Sequence, residues 1–288
     1  MWHGGGLNPV EKALWFIENR LAGDVSLHGI AQSVGVSEHH LARTFGAATG
    51  QSLMRYARGR RLSEAARALA AGAPDILAIA LSSGYSSHEA FTRAFREQFG
   101  ITPESCRAAG SLGRMQLLEP IRMDKSMLIN LDEPRLVHHQ QLLIAGFGER
   151  YIFATNEGIP RQWQRFASHI GSVPAQVGLE TYGVACNFDE EGGFEYIAGV
   201  QVSTFSALPK AFATVRIRPQ RYAVFKHREH VSMLRRSHYT IWNKWLPDSS
   251  MEMTDAPNFE RYGKEFDPMT GTGPIEVWMP VNDRKTER

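Results

Sequence analysis

The chain has 288 residues, 43% of them hydrophobic, which is enough for two domains that each bury a core. No run of about 18 apolar residues occurs, so the sequence argues against a transmembrane helix and a membrane partner. A net charge of +2 does not by itself point to nucleic acid. Cys106 and Cys186 lie far apart, and the N-terminus lacks the pattern of a secretory signal, so we expect reduced thiols in a cytoplasmic protein.

A first pair of helices is predicted between residues 27 and 50. Gly35 marks the turn between the two helices, and the hydroxyl of Ser37 is placed to cap the second one. The apolar positions recur at helical spacing: Leu27, Ile30 and Ala31 in the short helix, and Leu41 and Phe45 in the longer one. Two helices joined by such a turn predict a helix-turn-helix.

A second pair repeats this arrangement about 50 residues later. Gly84 marks its turn, Ser86 or Ser87 is placed to cap its second helix, and Gly100 is placed to end it. Its short helix carries Ile76, Ile79 and Ala80, and its second helix carries the apolar stripe Phe91, Ala94, Phe95 and Phe99. Both second helices are left with an arginine on the polar face, Arg43 in one copy and Arg93 in the other.

The segment between the copies, from Ser52 to Gly72, is rich in Ala, Arg and Leu and predicts one stiff helix. Twenty helical residues span about 30 Å, and one turn of B-DNA spans about 34 Å. A connector of this length suits two recognition helices that enter successive major grooves on one face of DNA. The alternative interpretation is that Arg43 and Arg93 are ordinary solvated side chains, and the near-exact repeat counts against it.

Residues 8–109 resemble the DNA-binding domain of the AraC/XylS family of transcription regulators. The resemblance rests on GYSSHEAFTRAFREQFGITPESCR in the second copy, on the matching pattern of the first copy, and on RRLSEA in the connector. It implies that base-reading residues lie on the outer faces of both recognition helices. The positions implied are His39, Ala42 and Arg43 in the first helix, and His88, Glu89, Thr92 and Arg93 in the second.

The remaining arginines of this region are candidates for contacts with phosphate. They are Arg55, Arg58, Arg60 and Arg61 in the connector and Arg96 on the polar face of the second reading helix. They cannot all face one way on a helix, so some are expected in salt bridges. Ala42 is short for a base reader, and Glu89 is acidic, so it either accepts from a cytosine amino group or is held away from phosphate.

After a predicted linker at 110–127, the sequence changes from helical to strand-like patterns. Strands are predicted around Val137–Phe147 and over TYGVACNF, FEYIAGVQV, FATVRIRPQRYAVFKH and IEVWMPV, with helices at Ile159–Gly171 and Met233–Pro247. This order predicts a duplicated strand–helix–strand–strand unit of the α+β class. Residues 128–282 resemble the GyrI-like ligand-binding domain, on TYGVACN, FEYIAGVQV, NFERYG and the closing IEVWMPV. The fold class is therefore an all-α tandem helix-turn-helix domain followed by an α+β GyrI-like domain, the domain order of the Rob-type regulators.

The GyrI-like resemblance implies a binding pocket in which Glu260, within the FERY motif, pairs with organic cations between aromatic walls. A carboxylate in a partly apolar cleft attracts a delocalised cation, and ring faces add cation–π energy. The candidate walls are Trp163, Tyr182, Tyr196, Tyr222, Trp242 and Trp278. The alternative is that these aromatics form core and that Glu260 is a surface or salt-bridged carboxylate.

These features predict a transcription regulator that binds double-stranded DNA as a monomer and responds to a small effector, with RNA polymerase as a further partner. No Walker A or G-x-S-x-G motif occurs, and no histidine or cysteine spacing completes a metal site, so we expect neither an enzyme nor a cofactor. Two alternatives stay open for the second domain. One is a small-molecule hydrolase with Glu260 as base, and the other is a docking module that binds no ligand.

Overall fold

The computed structural model describes residues 8–22, 25–153, 156–189 and 193–284. These residues form two compact units. The first unit runs to Leu41 and resumes with Ser52–Met123, and the second takes in Ala42–Gln51 and continues from Asp124.

The first part of the chain is helical, as the sequence predicts. Its helices are α1 Pro9–Glu18, α2 Leu27–Val34, α3 Glu38–Thr49, α4 Leu53–Ala70, α5 Ile76–Ser82, α6 His88–Phe99 and α7 Pro103–Ala109. The connector predicted at Ser52–Gly72 is α4, whose 18 residues span about 27 Å at 1.5 Å each.

The predicted turns and caps of both helix pairs are present. The Ser37 hydroxyl accepts from the His40 backbone N–H at 3.2 Å, and Ser87 accepts from the N–H of Ala90 at the start of α6. Gly35 ends α2 with φ 77° and Gly100 ends α6 with φ 75°. These left-handed conformations cost glycine little because it has no Cβ.

One core cluster of the first unit lies between α4, α5, α6 and α7. Phe91 and Phe95 of α6 are fully buried against apolar side chains of α4 and α5, and the thiol of Cys106 in α7 is enclosed with them. The apolar stripe read from the sequence is therefore the face that α6 buries. Its polar side chains are left for the opposite face.

The chain after α7 packs on α4 over much of the segment predicted as a linker. The Leu118 N–H donates to the Ser63 hydroxyl at 2.9 Å, and the Leu118 carbonyl accepts from Arg60 at 2.8 Å. The Ile121 N–H donates to the Tyr56 hydroxyl at 3.2 Å. Polar groups of α4 that this segment covers thus find partners within it, as buried polar groups require.

The second unit contains one antiparallel sheet with helices. The strands are β1 Arg135–His139, β2 Leu142–Ile152, β3 Gln176–Cys186, β4 Gly193–Val202, β5 Ala213–Ile217, β6 Gln220–His227, β7 Met251–Met253, β8 Asn258–Tyr262 and β9 Ile275–Asp283. The helices are α8 Ile159–Ala167 and α9 Leu234–Thr240, and α9 continues through a π-helical turn, Ile241–Trp245, into α10 Leu246–Asp248. Short 3-10 turns are found at Lys125–Met127 and Val231–Met233.

The strand order is β1-β6-β9-β8-β3-β4-β2-β5, with β7 paired to β9. The three neighbouring strands β2–β4–β3 form one copy of a strand–helix–strand–strand unit with α8, and the three strands β6–β9–β8 form the other copy with α9. The two copies join where β3 pairs with β8. This confirms the duplicated α+β architecture. The sheet curls, because β5 at one end of the order connects through only two residues to β6 near the other end.

Two short strands were not predicted, and one of them carries Glu260. β8 covers Asn258–Tyr262 and lies at the join between the two copies, and β7 covers Met251–Met253. Pro257 and Gly263 bound β8 so closely that its five residues show too few alternations to be recognised as a strand. The region predicted as one strand around Val137–Phe147 is two, β1 and β2.

The two faces of the sheet bury different cores. On one face, inside the curl, Val184, Tyr222, Phe259 and Trp278 belong to a single apolar cluster. On the other face, α8 covers a cluster with Phe166, and α9 with its continuation covers another. In the parts of the chain that the structure describes, no helix combines the length and the apolar character needed to cross a membrane.

Candidate functional site

The outer face of α6 carries the four residues predicted to read bases in the second copy, and also Arg96, which was predicted to contact phosphate. Arg93, Arg96 and Glu89 are exposed, while His88 and Thr92 are half-buried. These five side chains line one shallow groove together with Glu97 and Thr102. They form what is called here the α6 reading face. The structure thus brings all five predicted positions of this copy to one surface.

The start of α6 holds charged groups in fixed positions. His88 Nε2 lies 2.9 Å from Glu104 Oε1 of α7, so the imidazole is oriented by an ion pair when protonated. The pKa of Glu89 is lowered because its carboxylate accepts from its own backbone N–H and from Ser87. Glu89 is therefore charged at neutral pH and turned toward the helix N-terminus, where a negative charge is favourable.

The first copy places its predicted readers differently. His39 is exposed and Ala42 is half-buried, but Arg43 is only 4% exposed. Within the second unit, the Arg43 guanidinium donates to the Ala256 carbonyl at 3.2 Å and to the side chain of Asn258. Burial lowers its pKa to about 10, so it stays charged at neutral pH. The expectation that Arg43 lies on an outer face like Arg93 is not met in this structure.

The guanidinium of Arg43 also has aromatic partners. It lies over the ring of Phe188 at 4.1 Å and near the ring of Trp242 at 5.8 Å. Such stacking favours arginine because its flat, delocalised charge matches a ring face. The repeat-equivalent residues Arg43 and Arg93 thus have opposite environments.

The arginines of α4 divide into exposed and buried groups. Arg55 and Arg58 are exposed and Arg61 is half-buried, so these three stay candidates for phosphate contacts. Arg60 is 3% exposed and pairs with Glu18 of α1 at 2.8 Å and with Glu64 at 3.0 Å. The hypothesis that Arg60 contacts phosphate is therefore corrected, because a buried, doubly paired guanidinium has no accessible charge to offer.

In the second unit, Glu260 is buried within a chain of hydrogen bonds. It is 8% exposed. Its Oε2 accepts from the Tyr196 hydroxyl at 3.1 Å, and Tyr196 accepts from the indole N–H of Trp163 at 3.1 Å. Its Oε1 lies 2.9 Å from Nε2 of His238. These residues, with Tyr262, are called the Glu260 cluster.

The Glu260 cluster lies at the join between the two copies of the α+β unit. Glu260 on β8 pairs in register with Gly183 on β3. A Cβ at position 183 would come within 1.9 Å of the Tyr196 hydroxyl and 2.5 Å of Glu260 Oε2, so only glycine leaves room for this hydrogen bond. Trp163 is contributed by α8 and His238 by α9. Each copy therefore provides one helical residue to the cluster.

The aromatic members of the Glu260 cluster are uncharged, and they donate hydrogen bonds or border the carboxylate with their rings. Burial and the nearby Glu260 carboxylate raise the pKa values of Tyr196 and Tyr262 well above the usual tyrosine range. The rings of Trp163 and Tyr262 meet edge to face, with centroids 5.3 Å apart. A buried carboxylate with neutral aromatic neighbours is an environment that can hold an organic cation.

Three of the predicted walls lie elsewhere. Because side chains alternate along a strand, Phe259 points to the opposite face from Glu260. Tyr182, Tyr222 and Trp278 belong to the same cluster as Phe259, inside the curl of the sheet. The prediction that they surround Glu260 is corrected: they are core residues on the other side of the sheet.

Trp242 is on the helix side of the sheet but inside another apolar cluster. It is 4% exposed and packs with Phe225, Leu246 and Val277. Among the predicted walls, the hydrogen bonds of the cluster include only Trp163 and Tyr196. Tyr262 and His238 were not predicted. Tyr262 follows Glu260 by two residues, and strand alternation would have found it, whereas His238 has no comparable sequence signal.

A separate cavity of about 490 Å³ lies beside α9 and its continuation. It is lined by residues before β1 and by Lys244, Trp245 and Asp248, and none of the predicted effector residues borders it. Among the described residues, no group of three or more His, Cys, Asp or Glu side chains is arranged to hold a metal ion.

Two protein families match the chain. The family described as Helix-turn-helix domain matches residues 30–109, and the family described as GyrI-like small molecule binding domain matches residues 132–282, slightly more than half of the chain. The chain belongs to the GyrI-like family and carries an AraC-type DNA-binding domain. It is therefore an AraC-type DNA-binding transcription regulator with a GyrI-like small-molecule-binding domain.

Two relatives match this regulator along nearly its whole length, and a third matches a shorter part. The Transcriptional regulator Rob of Salmonella typhimurium is 25% identical over 276 residues, covering 93% of this chain and 94% of the relative. The Right origin-binding protein of Escherichia coli is 25% identical over 282 residues, covering 94% and 97%. The Multiple antibiotic resistance protein MarA of Escherichia coli is 32% identical over 112 residues, covering 39% of this chain and 88% of the relative.

Proposed function

We propose that this regulator binds double-stranded DNA as a monomer and reads two adjacent major-groove segments, one with each helix-turn-helix copy. The observation that carries this proposal is the α6 reading face, where Arg93 and Arg96 are exposed on a helix whose Phe91 and Phe95 are fully buried. A helix presented in this way fits the width of the major groove. The length of α4 and the near-exact repeat support a second reading helix one DNA turn away.

On this proposal the exposed charged residues of α4 and α6 have distinct tasks. The guanidinium of Arg93 donates two hydrogen bonds to a guanine, the commonest specific contact in the major groove. Glu89 accepts from a cytosine amino group, and its lowered pKa keeps it an acceptor at neutral pH. Arg55, Arg58 and Arg96 bind phosphates, which fixes the register and makes the affinity depend on salt. The name of the Right origin-binding protein supports duplex DNA as the target.

The test is selection of bound duplexes from a random pool, followed by hydroxyl-radical footprinting of the enriched sequence. We expect two protected segments about 10 base pairs apart on one face of the duplex, with one protein chain per duplex in sedimentation. A single protected segment would refute reading by both copies. Two chains per duplex would refute the monomer.

We further propose that the Glu260 cluster binds a small, cationic, aromatic effector. The supporting observation is the buried Glu260 carboxylate, which is bordered by the phenols of Tyr196 and Tyr262 and by the indole of Trp163. A cation bound here is attracted by the carboxylate charge in a site of low polarity. Contact with the faces of the aromatic rings adds about 0.5–2 kcal/mol to the binding free energy. On this proposal the regulator senses the effector, and RNA polymerase acts at the promoters to which the regulator binds.

Titration with a panel of amphipathic cations, followed by tryptophan fluorescence, tests the effector site. The wild type is expected to saturate, with Trp163 as the reporter, and Glu260→Gln to lose at least tenfold in affinity. Glu133→Gln removes a carboxylate from the separate cavity and serves as the matched control. If Glu133→Gln loses affinity and Glu260→Gln does not, the effector binds in that cavity and the proposal is wrong.

We infer that the second unit does not turn over its ligand. Both carboxylate oxygens of Glu260 are already engaged, by Tyr196 and by His238, which leaves the carboxylate poorly placed to take a proton from water. The relative named Transcriptional regulator Rob is a regulator by that name, which supports the same inference. Chromatography of a bound ligand after prolonged incubation is expected to recover it intact. Hydrolysis of more than one ligand molecule per protein chain would instead indicate that this unit is a small-molecule hydrolase.

A further inference from the structure

We propose that His238 controls the charge of the Glu260 cluster, so that a cationic effector binds in exchange for the proton on this histidine. This inference rests on the proposed effector site and adds the residue that regulates it. It explains how one buried carboxylate can be stable without ligand and yet attract a cation.

The geometry makes His238 the internal counter-ion of Glu260. Its Nε2 lies 2.9 Å from Glu260 Oε1, and only 20% of the His238 side chain and 11% of the Glu260 side chain are exposed. The second carboxylate oxygen accepts from the neutral hydroxyl of Tyr196 at 3.1 Å. Within the described part of the chain, no lysine or arginine forms an ion pair with Glu260. A positive charge beside this carboxylate is therefore supplied either by His238 or by a ligand.

The tyrosines and the histidine near His238 stay neutral, so His238 is the group of the cluster whose charge can change. Tyr196 and Tyr262 stay neutral because burial and the Glu260 carboxylate raise their pKa values. His227 of β6 is close enough to interact with His238 electrostatically, and its own pKa is lowered by burial. Glu229 follows β6 and acts on His227. Histidine is the side chain type whose charge changes near neutral pH.

His227 is held toward the neutral form by burial, which lowers its pKa. Its Nδ1 lies 2.8 Å from the hydroxyl of Ser237, and its Nε2 lies 3.1 Å from the carbonyl of His230. The carbonyl is only an acceptor, so Nε2 carries a proton, and the Ser237 hydroxyl pairs with Nδ1 as donor or as acceptor. The neighbouring histidine thus adds no competing charge.

Two charge states of the cluster follow. With His238 protonated, the imidazolium and the carboxylate balance, and a cation would lie beside a like charge. With His238 neutral, the Nε2–H still donates to Glu260, but the carboxylate carries an unbalanced negative charge. Cation binding to the protonated form must therefore release one proton: protonated protein and cation give the complex and H⁺.

Calorimetric titration of the full chain with tetraphenylphosphonium between pH 5.5 and 8.5 tests this exchange. At the acidic end of this range, affinity is expected to rise by up to about tenfold per pH unit, the limit for one exchanged proton, and then to level off. Measurements in two buffers of different ionisation enthalpy are expected to show release of nearly one proton at the acidic end.

The variant His238→Gln keeps a donor for Glu260 but cannot carry a charge. It is expected to bind with an affinity independent of pH and without proton release. His230→Gln, which removes an exposed histidine, is expected to behave like the wild type. If His238→Gln does not fold, the ring-proton resonances of His238 in the wild type provide the readout, and the ligand added at acidic pH should move them toward the positions of a neutral imidazole.

The outcomes separate this inference from the function on which it rests. Absence of binding by the wild type at every pH overturns the proposed effector site and this inference with it. Binding that Glu260→Gln abolishes but that does not change with pH overturns the role of His238 alone. A pH dependence that survives in His238→Gln has the same consequence.

Discussion

Phe45 and Phe95 occupy matching positions in the two helix-turn-helix copies, and both are fully buried. Arg43 and Arg93 also match each other, yet Arg43 is 4% exposed and Arg93 is open to solvent on the α6 reading face. The apolar positions follow from the helical spacing that both copies share, so the copies agree there. The polar positions depend on what else approaches, and there the copies differ.

The largest expected effect concerns what the copies share. Phe45→Ala and Phe95→Ala are each expected to lower the free energy of unfolding by about 3–5 kcal/mol, because each leaves a cavity in a closed core. Urea denaturation measures the loss. Leu77→Ala, at a side chain that is 47% exposed, is the control and should change stability by less than about 1 kcal/mol. A small loss at only one of the two phenylalanines would show that the copies differ in their cores as well.

The second prediction concerns what the copies do not share. Arg93→Ala is expected to weaken specific DNA binding by about 1–3 kcal/mol with unchanged stability, because it removes a base contact from an exposed position. Arg43→Ala is expected to lower stability by about 1–3 kcal/mol, because the Ala256 carbonyl and Asn258 lose their donor.

Fluorescence anisotropy on the selected duplex and thermal melting measure the two quantities for both variants. Arg20→Ala removes an equal charge from the exposed surface after α1 and serves as the control. If Arg93→Ala bound the selected and an unrelated duplex with unchanged affinity, α6 would not be the reading helix. If Arg43→Ala left stability intact but weakened DNA binding, the two arginines would be equivalent after all.

A third, smaller effect tests the backbone of both copies. Gly50 and Gly100 have φ 76° and 75° at the ends of their reading helices. Gly50→Ala and Gly100→Ala are each expected to cost about 1 kcal/mol, because a Cβ is strained in this conformation. Apart from its chain neighbours, a Cβ at either position would meet no described atom within 4 Å. A much larger loss, seen in chemical denaturation, would therefore contradict an effect of conformation alone.

The smallest effect concerns phosphate contacts. Arg58→Gln, at an exposed position of α4, is expected to reduce the slope of log affinity against log salt by about 1, without changing which sequence is selected. Anisotropy titrations at several salt concentrations measure the slope. Arg20→Gln should leave it unchanged. An unaltered slope for Arg58→Gln would place this arginine away from the DNA backbone.

In the proposed effector site, the sequence identified some residues near Glu260 correctly and assigned others to the wrong face of the sheet. The FERY motif pointed to Glu260, and its neighbours Trp163 and Tyr196 were also predicted and are joined to it by hydrogen bonds. Tyr222 and Trp278 were predicted with equal reason and lie on the opposite face of the sheet. Aromatic residues of this kind look alike in a sequence, and only the strand register tells which face each one occupies.

The sequence by itself determined both domains, the two helix pairs, their caps and the duplicated α+β unit, because helical and strand periodicity, capping hydroxyls and turn glycines act over a few residues. Only the tertiary structure decided that Arg60 pairs with Glu18, that Arg43 is buried, and that His238 reaches Glu260. These contacts join residues 22 to 215 positions apart. The energy of a buried charge depends on the partners that the fold brings to it, and no local pattern records those partners.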